Sequence, residues 1–318
     1  MVVKHRLDIL VWIMVLFLAA QYVGLFVVNS YIDYGASAEQ DTFVAGNLPS
    51  IAGSPIERPQ VEAVWSPLFL MGGILLGTII LLLVLKFAKP IVWKGWFFLA
   101  SVLCLYISMF AFTKSFAYAE WTAFGFALVL SVWKIWKPNP IIQNVCEVLM
   151  YGGLVAVLFS IVNIPAMIIL LILVSIYDAY AVWKSKHMIV LAQSQTKAGI
   201  FAGLMIPYGK VNMHASKTVS AKVSSGKTIK VPQPSKKGEV KIAILGGGDI
   251  AFPLLFAAAV LKTYALTGQG WLALVIPPFV ALALLGLQLY GKKDTFYPAM
   301  PFLSAGCFVG LAVVWLLH

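Results

Sequence analysis

Charge is what this chain has least of. Asp, Glu, Lys and Arg make up 11% of its 318 residues, against 61% hydrophobic, whereas a soluble domain carries roughly a quarter charged residues. A soluble globular protein is excluded, and an integral membrane protein is indicated. Acidic residues are the scarcer kind, 12 against 23 basic, for a net charge of +11. That excess lies beside hydrophobic segments or in one loop, where orientation signals and anionic headgroups account for it. No basic-aromatic recognition module accompanies it, which argues against nucleic acid as a partner. The three cysteines, Cys104, Cys146 and Cys307, fall within or beside apolar runs without CxxC spacing and read as small packing residues. His5, His187, His214 and His318 lie outside the apolar runs or at their ends. The chain has no His-Glu-x-x-His and no Gly-x-Ser-x-Gly, so the usual zinc and serine-hydrolase sites are missing. No cofactor or metal is called for.

What the chain has in abundance is apolar runs near the ~20 residues a membrane-crossing helix needs. Nine can be marked, at 9–28, 66–88, 91–112, 117–136, 141–162, 165–183, 242–262, 271–290 and 298–317. The first, behind Lys4-His5-Arg6, is longer than a secretory signal core and reads as an anchor. With the N-terminus inside, every Lys and Arg except Arg58, Lys114 and Lys262 falls in an inside segment. The expected fold is therefore an all-α multi-pass membrane protein of nine transmembrane helices, N-in and C-out. Spans one to six occupy 1–183, with an irregular extracytoplasmic loop at 29–64. A basic cytoplasmic loop fills 184–241, and spans seven to nine occupy 242–318. Trp65, Trp93, Trp96, Trp121, Trp133, Trp136, Trp183 and Trp271 fall near predicted span ends, as interfacial anchors do.

The 184–241 loop reads mainly as a flexible basic linker. Two pieces alternate as strands do, Lys227-Thr228-Ile229-Lys230-Val231 and Glu239-Val240-Lys241-Ile242. The second runs straight into Gly246-Gly247-Gly248-Asp249.

Ionisable side chains inside a span are costly and are functional candidates by default. Asp178 lies six residues before Lys184, and Asp249 eight residues after Lys241. At ~1.5 Å per residue both carboxylates sit roughly 9–12 Å in from the inner boundary, on consecutive antiparallel helices. Two carboxylates brought together in a low-dielectric site cannot easily both ionise, so the pair shares a proton. The ionised member can activate water while the other protonates a carbonyl. Gly246, Gly247 and Gly248 leave the backbone bare, admitting water and an extended substrate beside Asp249. Tyr177 can donate a hydrogen bond near Asp178 or serve as a packing residue. Tyr297-Pro298-Ala299-Met300-Pro301 opens the ninth span at the same leaflet, where two prolines break helix hydrogen bonding. Glu120 and Glu147 lie near span ends, where headgroup water reaches them. From the residues alone, a proton- or cation-coupled secondary transporter and a prepilin-type aspartyl peptidase stay open beside an intramembrane protease.

Tyr177-Asp178 in the sixth span, Gly246-Gly247-Gly248-Asp249 in the seventh and Pro298-Ala299-Met300 at the ninth resemble, in that order, the three signatures of the presenilin and signal-peptide-peptidase family of intramembrane aspartyl proteases. The third signature ends in Met300 where the family has leucine, and Gly247 stands where an apolar residue is common. The resemblance implies catalytic roles for Asp178 and Asp249, and scaffolding and substrate contact for Pro298-Ala299-Met300. It also implies that the substrates are transmembrane helices of other membrane proteins. Presenilins share the inside N-terminus and the inside six–seven loop, which implies substrates with an outside N-terminus and a place in the cell membrane. The compact length resembles microbial members of the family, archaeal ones among them, which implies work without partner subunits.

Overall fold

All nine apolar runs are helical over most of their length. The computed structural model of the protein describes residues 7–51, 53–87, 90–182, 202–208, 221–222, 228–229, 241–290 and 297–318. Before the long loop come α1 (Leu7–Asn29), the short α2 (Tyr34–Gln40), α3 (Ser66–Phe87), α4 (Pro90–Thr113), α5 (Ala119–Trp136), α6 (Pro140–Leu158) and α7 (Ile164–Tyr180). After it come α8 (Gly247–Tyr264), α9 (Ile276–Tyr290) and α10 (Met300–Leu317). Local chemistry sets several of these starts. Asn139 accepts from the amide of Ile141 ahead of Pro140, and Asn163 from that of Ala166, each satisfying an orphan N–H as an N-cap does.

Among the described residues, five stretches are long and apolar enough to cross a membrane, by length and composition: Asp8–Asn29, Lys94–Thr113, Pro140–Ile161, Gly270–Leu289 and Met300–Leu317. Ser66–Leu81 and Ile164–Tyr180 are shorter apolar helices. Two boundaries differ from the sequence reading. The seventh run begins as a strand, Lys241–Gly246, and turns helical only at Gly247. The eighth opens with a 3-10 turn, Gly270–Val275, because Pro277 and Pro278 remove two helix donors just beyond it.

The helix at the centre is α8. Residues 253–261 are buried without interruption, the mark of a helix enclosed on every side. It packs against α1, α6, α7, α9 and α10. From α1, the buried Gln21 Nε2 donates to the carbonyl of Ile250, 2.9 Å away. Pro253 lies inside α8 and cannot donate to the carbonyl four residues back, that of Asp249. Gln21 thus grips the turn of α8 that its own proline loosens. On the far side of the core, α6 meets α4 so closely that a Cβ on Gly153 would run into the carbonyl of Cys104. Gly153→Ala is therefore expected to destabilise the protein by about 1–3 kcal/mol, read as a lower melting temperature in detergent.

The 29–64 loop is more ordered than its Pro and Gly punctuation predicts. It forms α2 and a short antiparallel pair, β1 (Ser50–Ile51) with β2 (Ser54–Pro55). Arg58 ties it to the end of α6, donating to the carbonyls of Gly46 at 2.7 Å and Ala156 at 3.2 Å. Glu120 accepts from the amide and hydroxyl of Ser50, which makes it another tether of this loop.

Within the long loop, β3 (Gly203–Tyr208) pairs antiparallel with β6 (Lys241–Gly246), from Gly203 opposite Gly246 to Tyr208 opposite Lys241. A second small pair joins β4 (Ala221–Lys222) to β5 (Thr228–Ile229). The strand-like pieces read from the sequence are thus strands at Thr228–Ile229 and Lys241–Ile242. Lys227, Lys230-Val231, Glu239-Val240, Trp183 and the basic clusters Lys4-His5-Arg6 and Lys292-Lys293 lie outside the described residues.

Candidate active site

The turn from β6 into α8 presents Asp249. Gly246 is the N-cap of α8, and Asp249, three residues on, accepts a hydrogen bond from the Gly246 amide. This is the backward half of a capping box, with a carboxylate serving an orphan donor at the helix start. The Gly247 amide donates to the carbonyl of Ala202 at 3.2 Å. The strand pair and the helix start therefore form one hydrogen-bonded unit.

Asp178 sits in the last turn of α7 and is buried. Its Oδ2 accepts from the amide of Met300 at 3.1 Å, and the carboxylate also accepts from the amide of Ala299. Ala299 and Met300 stand at the start of α10, where a helix leaves its first N–H groups without an intrahelical acceptor, and these two amides point at a side chain. Ser175 Oγ and Ser304 Oγ lie 2.9 Å apart and bind α7 to α10 one turn deeper.

Both carboxylates open onto the same cavity, of about 650 Å³. Tyr177, Gly246, Gly247, Gly248, Ala299 and Met300 line it as well, while Pro298 is buried behind the wall. The two aspartates are close enough for their charges to act on one another. The rest of the lining is apolar and comes from Leu70 and Ile74 of α3, Leu154 and Val155 of α6, and Phe252 and Leu255 of α8. Every site residue picked out of the sequence is thus gathered within one neighbourhood. Among the described residues, no cluster of three His, Cys, Asp or Glu side chains suited to a metal ion is present.

One expectation is overturned here. Glu147 does not reach headgroup water: it is 1% exposed. Its Oε1 accepts from Lys134 Nζ on α5 at 2.6 Å and from Gln143 Nε2 at 2.8 Å, and its Oε2 accepts from the Tyr151 hydroxyl at 2.5 Å. Tyr151 in turn lines the cavity that holds the two aspartates. The missed signal was Gln143, Glu147 and Tyr151 at four-residue spacing, which puts three polar side chains on one face of α6. Gln21 of α1 carries no such signal, being a single amide in an apolar run with nothing to mark its partner.

Comparison with known proteins agrees with this geometry. The family model described as "Signal-peptide peptidase, presenilin aspartyl protease" matches residues 51–318. A search of curated proteins finds no match. Two solved structures of a presenilin family intramembrane aspartate protease, in C222 and P2 space groups, share the fold at 16% sequence identity each. The first superposes with a TM-score of 0.62 over 97% of this chain and 99% of the other; the second, with 0.61 over 96% of each. The matched residues take in Asp178, Asp249 and the 298–300 segment, and they favour proteolysis over ion coupling and over a prepilin-type peptidase. On that match the chain belongs to the signal-peptide peptidase and presenilin family, and it is an aspartyl protease of the membrane interior.

Proposed function

We propose that Asp178 and Asp249 are the catalytic pair and that they hydrolyse peptide bonds in transmembrane segments. One observation carries this reading: two carboxylates from different helices line one apolar cavity, beside bare glycine backbone and with two backbone amides on Asp178. The ionised member of the pair takes a proton from water as its oxygen attacks the scissile carbonyl carbon. The protonated member gives its proton to the carbonyl oxygen. Collapse of the tetrahedral diol then returns a proton to the leaving amine and breaks the C–N bond. Because the pair titrates as a unit, cleavage is expected to fall on both sides of a pH optimum. Towards acid the base is lost, and towards alkali the shared proton is lost. A rate that rises monotonically across that range would contradict a shared-proton pair.

Tyr177, Gly246, Gly247, Gly248, Pro298, Ala299 and Met300 form the scaffold and the substrate-contacting wall. All nine apolar helices cross the bilayer, N-in and C-out, in the cell membrane, with 184–241 on the inside. The distribution of lysine and arginine supports this topology. Substrates then present an outside N-terminus.

A transmembrane helix hides its peptide bonds, so its backbone must unwind before it is cut. The strand β6 provides a template for the unwound stretch. Asn144 of α6 bonds both the amide and the carbonyl of Met205, at 2.8 and 2.9 Å, and so occupies the outer edge of β3. Among the described residues, the outer edge of β6 pairs with no strand. An extended substrate can add there by main-chain hydrogen bonds and lead its peptide bond to Asp249. Deletion of residues 239–244 is expected to abolish cleavage of a membrane-embedded peptide; undiminished cleavage would remove β6 from the mechanism.

A further inference from the structure

In this chain the residue between the two glycines of the Gly-x-Gly-Asp segment is itself glycine, and α6 supplies the reason. A Cβ on Gly247 would lie 2.7 Å from the Tyr151 hydroxyl, 3.2 Å from its ring and 3.3 Å from the carbonyl of Ala202. The space a side chain would take is already filled by a tyrosine from another helix. That tyrosine cannot swing away cheaply. Its hydroxyl donates to Glu147, which is held by the Lys134 ammonium and the Gln143 amide, and all four side chains are buried. Gln143 also donates to the carbonyl of Gly203, opposite Gly246 in the strand pair. The strand paired with this turn is therefore bonded to α6 through Gln143, and the turn itself packs on Tyr151.

We propose that Tyr151, fixed by Glu147 and Lys134, is a positioning residue for Asp249, its hydroxyl packed on the bare backbone of Gly247. It touches the segment that carries the carboxylate and sets where that carboxylate stands in the cavity. The inference rests on the reading of Asp249 as catalytic. A displacement of this turn by a fraction of an ångström is felt in the chemical step more than in substrate binding, and misplacement by about 1 Å can lower a rate about a hundredfold.

The test is a four-variant cycle in liposomes, with kcat and KM measured on a membrane-embedded peptide. Gly247→Ala is expected to lower kcat about a hundredfold with KM within about twofold. Tyr151→Leu is expected to lower kcat about tenfold. Because Leu clears the space beside Gly247, adding Gly247→Ala to Tyr151→Leu is expected to cost little more, and the double variant outperforms Gly247→Ala alone. Such coupling is the signature of residues in contact. Losses that multiply independently, or a Gly247→Ala enzyme with normal kcat, overturn the proposal. If Gly247→Ala does not fold, Tyr151→Phe alone decides. It keeps the ring and removes the bond to Glu147, so its kcat falls with KM unchanged; an unaltered kcat overturns the proposal. Asp249→Asn, run alongside, separates the two layers. Activity in that variant sinks the catalytic reading itself, whereas an inactive Asp249→Asn with an uncoupled cycle sinks only the role of Tyr151.

Discussion

Asp178→Asn and Asp249→Asn are each expected to lower cleavage of a membrane-embedded peptide by about a thousandfold or more. The size of the effect follows from how the pair works. One carboxylate accepts the proton of the attacking water and the other supplies a proton to the carbonyl oxygen, so losing either leaves no partial mechanism. Residues that act as a unit lose nearly everything at the first removal, and the double variant should be little worse than either single one. The fold is expected to survive. Asn keeps an oxygen that accepts from the amides of Ala299 and Met300 at position 178, and one that accepts from the Gly246 amide at position 249. Melting temperatures close to that of the unaltered protein, with activity gone, would locate the loss in the chemistry. A variant that retains a tenth of the activity would show that its carboxylate is dispensable.

Glu147→Ala is expected to be the most damaging single change to stability outside the aspartates' own surroundings. Lys134 and Glu147 are 3% and 1% exposed and lie 2.6 Å apart. Removing the acid leaves the ammonium, among the described residues, with the Met150 sulfur and the face of Phe97. Breaking a buried pair on one side costs about 3–5 kcal/mol, whereas replacing both partners by apolar groups of similar volume is often close to neutral. The double replacement Lys134→Met with Glu147→Leu should therefore melt at a higher temperature than Glu147→Ala. It will not match the unaltered protein, because Tyr151 and Gln143 lose their acceptor. If Glu147→Ala melted normally, the network would be an ornament of the core and no clamp on Tyr151.

Much of the site was legible because membrane burial makes certain residues conspicuous. A carboxylate in an apolar run stands out at once, and counting residues to the flanking lysines puts Asp178 and Asp249 at one depth. Pro298 and Pro301 mark a helix start in the sequence, although nothing there says that the first amides of α10 turn toward Asp178. The start of the seventh span is hidden for a different reason. Lys241–Gly246 is apolar enough to pass for the beginning of a membrane helix. Its strand partner Gly203–Tyr208 lies more than thirty residues upstream, in a loop that reads as a linker. Strand pairing over such a distance leaves little local trace. The burial of Glu147 is hidden for a related reason: its partner Lys134 belongs to the preceding helix, and proximity to a span end says nothing about which way the side chain faces.

The account rests on two carboxylates acting together on a water molecule and a peptide carbonyl. The most direct measurement is the binding of a transmembrane peptide analogue whose scissile carbonyl is replaced by a tetrahedral secondary alcohol. Such a group imitates the diol that the pair stabilises, and transition-state mimics bind about a hundredfold or more above the matching substrate. The analogue is expected to bind the unaltered protein tightly, block cleavage competitively, and lose its advantage over the plain peptide in both Asp178→Asn and Asp249→Asn. Equal preference for the alcohol in either Asn variant would mean that the missing carboxylate never faced the reacting carbon.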